Sequence, residues 1–210
     1  MVTNRRKIGI MGGTFDPIHI GHLILGEAAY EQYQLDKVLF MPAGNPPHKQ
    51  ERKGRAGDQE RAEMVQLAIA SNPHFELSLM EMQGNGLTYT YHTLELLRSQ
   101  HPDTEYYFII GADSLRDFDQ WREPRRILSA CHLVVAIRDW MSEESFDHLI
   151  EKRREEFQGD VRKLNTPNLD VSSHYIRQML QEGKTVRYFL PDPVLDYIRS
   201  HQIYQLDRKE

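Results

Sequence analysis

The chain has 210 residues, 26 Lys+Arg against 31 Asp+Glu, and a formal net charge of −5. That balance excludes a general nucleic-acid binder, which needs surplus basic side chains to neutralise phosphates. The 40% hydrophobic content excludes a disordered chain, and a lone cysteine, Cys131, excludes an intramolecular disulfide and a cysteine-cluster metal site.

Short apolar runs alternate with longer segments of helical period, as βαβ units around a parallel sheet require. The predicted strands are Lys7–Met11, Lys37–Met41, Glu76–Met80, Glu105–Ile110, His132–Ile137 and Val161–Leu164. The predicted helices are Ile20–Gln34, Asp58–Ala70, Thr90–Gln100, Pro124–Ser129, Glu143–Glu156, Ser173–Glu182 and Pro193–His201. Asp58 is placed to cap its helix, Gly183 to follow one, and Asp192-Pro193 to serve as N-cap and first residue. The length fits one domain over residues 1–210, with a small helical C-terminal portion over about 168–210. The long irregular stretch Pro42–Gly57 has the length of a functional loop. Apolar runs such as Leu133–Ile137 are far shorter than a membrane span of ~20 residues. Arg5-Arg6-Lys7 before Ile8–Met11 imitates a secretory leader, but Gly12-Gly13-Thr14-Phe15-Asp16-Pro17 interrupts it at once. The expected setting is cytoplasmic, without nucleic-acid or membrane partners; a homo-oligomer is left open.

The most informative segment is Gly12-Gly13-Thr14-Phe15-Asp16-Pro17-Ile18-His19-Ile20-Gly21-His22, directly after the first strand. Two glycines there allow a sharp turn and a close approach to a ligand. The helix that follows offers unbonded amides and a positive dipole end to the same space. Together these form an anion site, with phosphate the natural anion. Neither the dinucleotide fingerprint nor the P-loop pattern is present. His19 and His22 fall on one helix face, where imidazole N–H groups can offset charge growing on a phosphate. Two unrelated structural histidines are the alternative; a zinc pair lacks a third ligand at suitable spacing.

GGTFDPIHIGH resembles the opening motif of the nucleotidyltransferase superfamily that shares its H-x-G-H histidines with class I aminoacyl-tRNA synthetases. Within it, the chain is similar to the bacterial nicotinate mononucleotide adenylyltransferases. Further segments carry the likeness: Asn45-Pro46-Pro47-His48-Lys49, Thr88 through Leu94, Ile109 through Leu115 followed by Trp121, Val171-Ser172-Ser173-His174-Tyr175-Ile176-Arg177, and Val186-Arg187-Tyr188 onward to Ile198. His174 departs from the family, which more often has Thr or Ser there; a surface histidine in a first helical turn is its plain reading.

The resemblance implies a Rossmann-like doubly wound sheet with helices on both faces, and attack by the 5′-phosphate of nicotinate mononucleotide on the α-phosphorus of ATP. Pyrophosphate and deamido-NAD are the products, and Mg²⁺ accompanies ATP. It implies that His19, His22, Lys49 and Arg177 are catalytic. Gly12, Gly13, Thr14, Phe15, Gly111, Asp113, Ser172 and Ser173 join His19, His22 and Arg177 around ATP. Asn45, His48, Lys49, Thr88 and Trp121 take the acceptor, Trp121 by stacking on the pyridine ring. Blander readings accompany these: Ser172-Ser173 as an N-cap, Lys49 as a solvated loop lysine, Asp113 as a helix cap, Trp121 as a core indole. The rivals are transfer to nicotinamide mononucleotide or phosphopantetheine, and a regulator that binds nucleotide without turnover.

Overall fold

A computed structural model of the chain describes residues 5–44, 54–83, 89–137 and 141–204. The first half contributes β1 (Arg6–Gly13), α1 (Ile20–Tyr33), β2 (Lys37–Pro42), α2 (Asp58–Ile69) and β3 (Phe75–Leu77). Next come α3 (Thr90–Gln100), β4 (Thr104–Gly111), α4 (Ala112–Arg116), α5 (Pro124–Ala130) and β5 (His132–Ala136). The chain closes with α6 (Glu143–Phe157), β6 (Val161–Leu164), α7 (Ser173–Gln181) and α8 (Asp192–Ser200).

All six strands are parallel, in the order β3-β2-β1-β4-β5-β6. A parallel sheet is buried on both faces, so its strands read as continuous apolar runs whose successive side chains enter opposite cores. In β4, Tyr106, Phe108 and Ile110 join one core with Ile8, Ile10, Leu94, Ile127 and Phe146. Tyr107 and Ile109 point the other way, to the core of Val38, Phe40, Met64, Ile176, Val194 and Ile198. Helices therefore cover both faces, as the doubly wound reading requires, and the C-terminal helices α7 and α8 share a core with the sheet. The strand order reverses where β1 meets β4, and in open α/β sheets the crevice at that reversal, beyond the strand ends, is where ligands bind.

The elements depart from expectation mainly at their ends. β3 stops at Leu77 rather than Met80, because the chain turns out of the sheet with the Met82 N–H on the Leu79 carbonyl at 2.9 Å. Asp58 does not cap α2: Gly57 takes that place, its N–H donating to Glu60 at 2.7 Å, while Asp58 pairs with Arg61. At α8 the cap moves back to Pro191, whose carbonyl accepts from Val194 and Leu195 at 3.0 and 3.1 Å. The five-residue α4 was not expected, being too short to show a hydrophobic period. Gly183 does follow α7 with φ +71°, and the Lys184 N–H closes onto the Met179 carbonyl at 2.8 Å.

Candidate active site

β1 and β4 pair as far as Met11 and Ile109 and then part, so Gly13 and Gly111 stand at the strand ends where the sheet reverses. The Gly12-Gly13 pair does not make the expected sharp turn. Both residues are extended members of β1, and the left-handed residue is Phe15, at φ 50°. What the glycines supply is room: a Cβ on Gly12 would lie 3.2 Å from the Phe108 ring, and one on Gly13 3.2 Å from the Phe15 ring. Phe15 is thereby seated in the core, where burying such a ring is worth roughly 1.5–3 kcal/mol.

His19 is buried and stands at the N-cap of α1. Its backbone N–H donates to His22 Nδ1 at 3.2 Å, so the imidazole fills the place glutamate usually takes in a capping box. An Nδ1 that accepts a hydrogen bond leaves Nε2 as the protonated nitrogen of that ring. The two imidazoles pack against each other with ring centres 3.7 Å apart and planes tilted by 31°, and Phe15 packs edge-on against His22 at 5.0 Å. Gly21 between them is dictated by this packing, since a Cβ there would sit 3.0 Å from His19 Nδ1. The α1 terminus is less open than expected, because the Ile20 N–H donates to the Phe189 carbonyl at 2.9 Å.

Two cavities meet at His22. One is a narrow cleft of about 30 Å³ lined by His19, His22, Gly111, Ala136, Pro167 and Val171 among others. The second measures about 360 Å³ and is walled by Thr14, Phe15, Asp16, His22, Arg55, Ser173, His174 and Arg177. The structure thus gathers Thr14, Phe15, His22, Ser173 and Arg177 around one space and brings Gly111 and His19 to the adjoining cleft. Gly12, Gly13, Asp113, Ser172 and Trp121 line neither cavity. Ser172 caps α7, its Oγ accepting from the Tyr175 N–H at 3.2 Å. Ser173 Oγ donates to the Pro17 carbonyl at 2.9 Å, which binds α7 to the β1–α1 loop. Asp113 lies in the first turn of α4, whose cap is Gly111, with Arg116 at 3.9 Å. Trp121 is half-buried against Phe118 and Phe108, ring centres 5.4 and 6.2 Å away, so it is more enclosed than its polar neighbours suggest. His174 is exposed at the start of α7, yet it belongs to the wall of the larger cavity. Asn45, His48, Lys49 and Thr88 lie outside the described residues.

Sequence reasoning missed the residues that hold this arrangement together. Asp16 is buried at the centre, its Oδ1 accepting from the Ala56 N–H at 3.1 Å and the Tyr204 hydroxyl at 2.8 Å. Burial, followed by the neighbouring Asp16 charge, pushes the Tyr204 phenol well above its ordinary range, so it stays a donor. Arg177 donates to the Asp16 carbonyl at 2.5 Å. Arg61 is buried and ties three stretches together, donating to the carbonyls of Thr14 at 2.6 Å and Ala43 at 2.8 Å and pairing with Asp58. No motif marks Arg61; it is one cation in a charged helix.

A model of the cytidylyltransferase-like family matches residues 10–179. A protein of Lachnoclostridium phytofermentans named "Probable nicotinate-nucleotide adenylyltransferase" is 43% identical over 199 residues, 95% of this chain and 99% of the relative. One of the same name from Desulfitobacterium hafniense is 40% identical, covering 96% and 97% of the two chains. Among solved structures, Plasmodium falciparum nicotinic acid mononucleotide adenylyltransferase complexed with NaAD superposes with a TM-score of 0.76 at 19% identity, over 95% and 97% of the chains.

Proposed function

The chain belongs to the cytidylyltransferase-like nucleotidyltransferases, among the relatives named nicotinate-nucleotide adenylyltransferase, and from that membership we infer what its site does. It is an enzyme of NAD biosynthesis that transfers the adenylyl group of ATP to nicotinate mononucleotide. The observation that carries the residue assignment is His22, which borders both cavities at the point where β1 and β4 part.

We assign the α-phosphate to that junction. The adenosine half then points to the cleft beside Gly111, which must widen to admit a purine, and the distal phosphates to the larger cavity. The acceptor phosphate is already an anion, so no general base is required and catalysis rests on alignment and charge screening. Two unit charges about 4 Å apart repel by about 4 kcal/mol at an effective dielectric near 20, so the counter-field decides the rate. His22 supplies a fixed Nε2–H donor, oriented by the His19 amide, and His19 packs behind it. Arg177 adds a fork of donors beside Ser173. Asn45, His48, Lys49, Thr88 and Trp121 are assigned to the acceptor by resemblance; half-buried Trp121 keeps part of its indole open. Asp113 is assigned a ribose hydroxyl. The β1–α1 loop that borders both cavities shares one core with the C-terminal helices through Phe15, Ile18, Ile176 and Val194, which supports residues 1–210 as a single catalytic unit.

We propose Mg²⁺ as the divalent ion. Among the described residues no group of three His, Cys, Asp or Glu side chains could hold it, which fits an ion carried in on the phosphates of ATP, as magnesium commonly is. When bound, it neutralises phosphate charge. Pyrophosphate release from ATP, measured with nicotinate and with nicotinamide mononucleotide, tests the reading. No release with either acceptor defeats it; equal rates defeat the preference for the acid alone. His22→Ala is expected to lower turnover by ~10², and near-normal turnover would remove His22 from the mechanism.

A further inference from the structure

We infer that Arg55 is a second phosphate-binding arginine of this site, gripping the two distal phosphates of ATP that leave as pyrophosphate. The inference rests on the adenylyl-transfer reading above. Arg55 falls in the charged stretch before α2, outside every motif quoted for the family, and the structure brings it beside Arg177 in the lining of the larger cavity. Asp16 is the link between them. Its Oδ2 faces Arg55 Nη1 at 3.5 Å and Arg177 Nη1 at 3.6 Å, too far for good hydrogen bonds. Its Oδ1 is occupied by Ala56 and Tyr204.

Two guanidiniums thus share one carboxylate oxygen that neither of them grips. The Asp16 charge cancels one of the two, and the wall of the cavity keeps one net positive charge before any histidine is counted. A structural ion pair would close the fork onto the carboxylate; here Arg177 is held by its bond to the Asp16 carbonyl and Arg55 by charge, and both forks keep donors to give. The backbone beside Arg55 is fixed by the Ala56 amide on Asp16, so its guanidinium is held near the cavity without being held shut. The Arg55 side chain retains 23% of its exposure and Arg177 13%, against 2% for Asp16, which places the cations at the surface of the cavity and the anion behind them. A polyphosphate is the ligand such a wall suits, because arginine forks match phosphate oxygens in pairs.

The test compares wild type with Arg55→Gln. The KM for ATP and the inhibition constant of inorganic pyrophosphate are expected to rise together by about tenfold, the effect of one charge-assisted hydrogen bond. The KM for nicotinate mononucleotide is expected to stay within about twofold. Calorimetric titration of pyrophosphate with excess Mg²⁺ should show the same tenfold loss, and Arg55→Lys should recover part of it. Unchanged pyrophosphate affinity, or equal weakening of both substrates, overturns the assignment. Should Arg55→Gln fail to fold, phenylglyoxal labelling of wild type decides: Arg55 is expected to be protected by Mg²⁺-pyrophosphate, and labelling that pyrophosphate leaves unchanged refutes the proposal. A wild type that releases no pyrophosphate from ATP would defeat the adenylyl-transfer reading, while the calorimetry and labelling would still decide Arg55.

Discussion

Gly21→Ala separates stability from catalysis in a way that follows directly from the packing of the two imidazoles. Position 21 is in the first turn of α1, where alanine is favoured over glycine by up to ~1 kcal/mol because glycine loses more backbone entropy on folding. The new Cβ would stand 3.0 Å from His19 Nδ1 and 3.1 Å from Cε1. Ordinary contact begins about 0.4 Å further out, and His19 is buried, so the ring must shift by a few tenths of an ångström. His22, packed against it at 3.7 Å and bonded to its backbone N–H, moves as well. Misplacing a catalytic group by 1 Å costs about 10²-fold, so a shift of this size should lower kcat by about 5- to 10-fold. Thermal unfolding should remain within about 1 kcal/mol of wild type in either direction. The assays are pyrophosphate release under saturating substrates and calorimetric melting. A variant with unchanged kcat would refute the claim that glycine is required by the histidine beside it. A variant that lost several kcal/mol would show that the strain is absorbed by the fold rather than by the rings.

Arg61→Met should cost about 2–4 kcal/mol in urea unfolding, since the buried carbonyls of Thr14 and Ala43 lose a charged donor; a loss under 1 kcal/mol would show that water replaces the guanidinium. At the opposite end of the sheet, partial burial disfavours the Asp160 carboxylate, but bonds from Arg162 and His132 outweigh burial and hold its pKa below the usual carboxylate range. The stabilisation from Asp160 is therefore present above the ordinary carboxylate pKa near 3.9 and is lost as pH falls through the lowered folded value. Discounted for a side chain left 40% exposed, the advantage of wild type over Asp160→Asn should be about 1 kcal/mol at pH 7 and shrink as pH falls below the ordinary carboxylate pKa near 3.9; an advantage that does not shrink on acidification would contradict it.

The sheet was legible because a parallel strand buried on both sides has no choice but to be continuously apolar. Tyr106 through Ile110 could not belong to a surface strand. The strand ends were less legible, since a turn such as Leu79–Met82 is closed by backbone bonds that leave little trace in residue type. At the site, the placement of the histidines could be read because two imidazoles three residues apart, after a strand and two glycines, fall together at the start of one helix. The role of those glycines was misjudged: the residue that turns the chain is Phe15, and Gly12 and Gly13 make space for aromatic rings.

What no local pattern could supply was the set of long-range ties converging on the β1–α1 loop. Asp16 bonds to residues 40 and 188 positions away, and Arg177 reaches it from 161. The cations that line the larger cavity, Arg55 and Arg177, are set by these ties rather than by their own segments. That is also why a chain with net charge −5 can build a site for polyanions. One carboxylate, withdrawn behind two arginines, orients positive charge toward the cavity while leaving the balance of the whole chain acidic. Net charge constrains what a surface attracts at a distance; the sign of a pocket is decided by which partner of each ion pair faces inward.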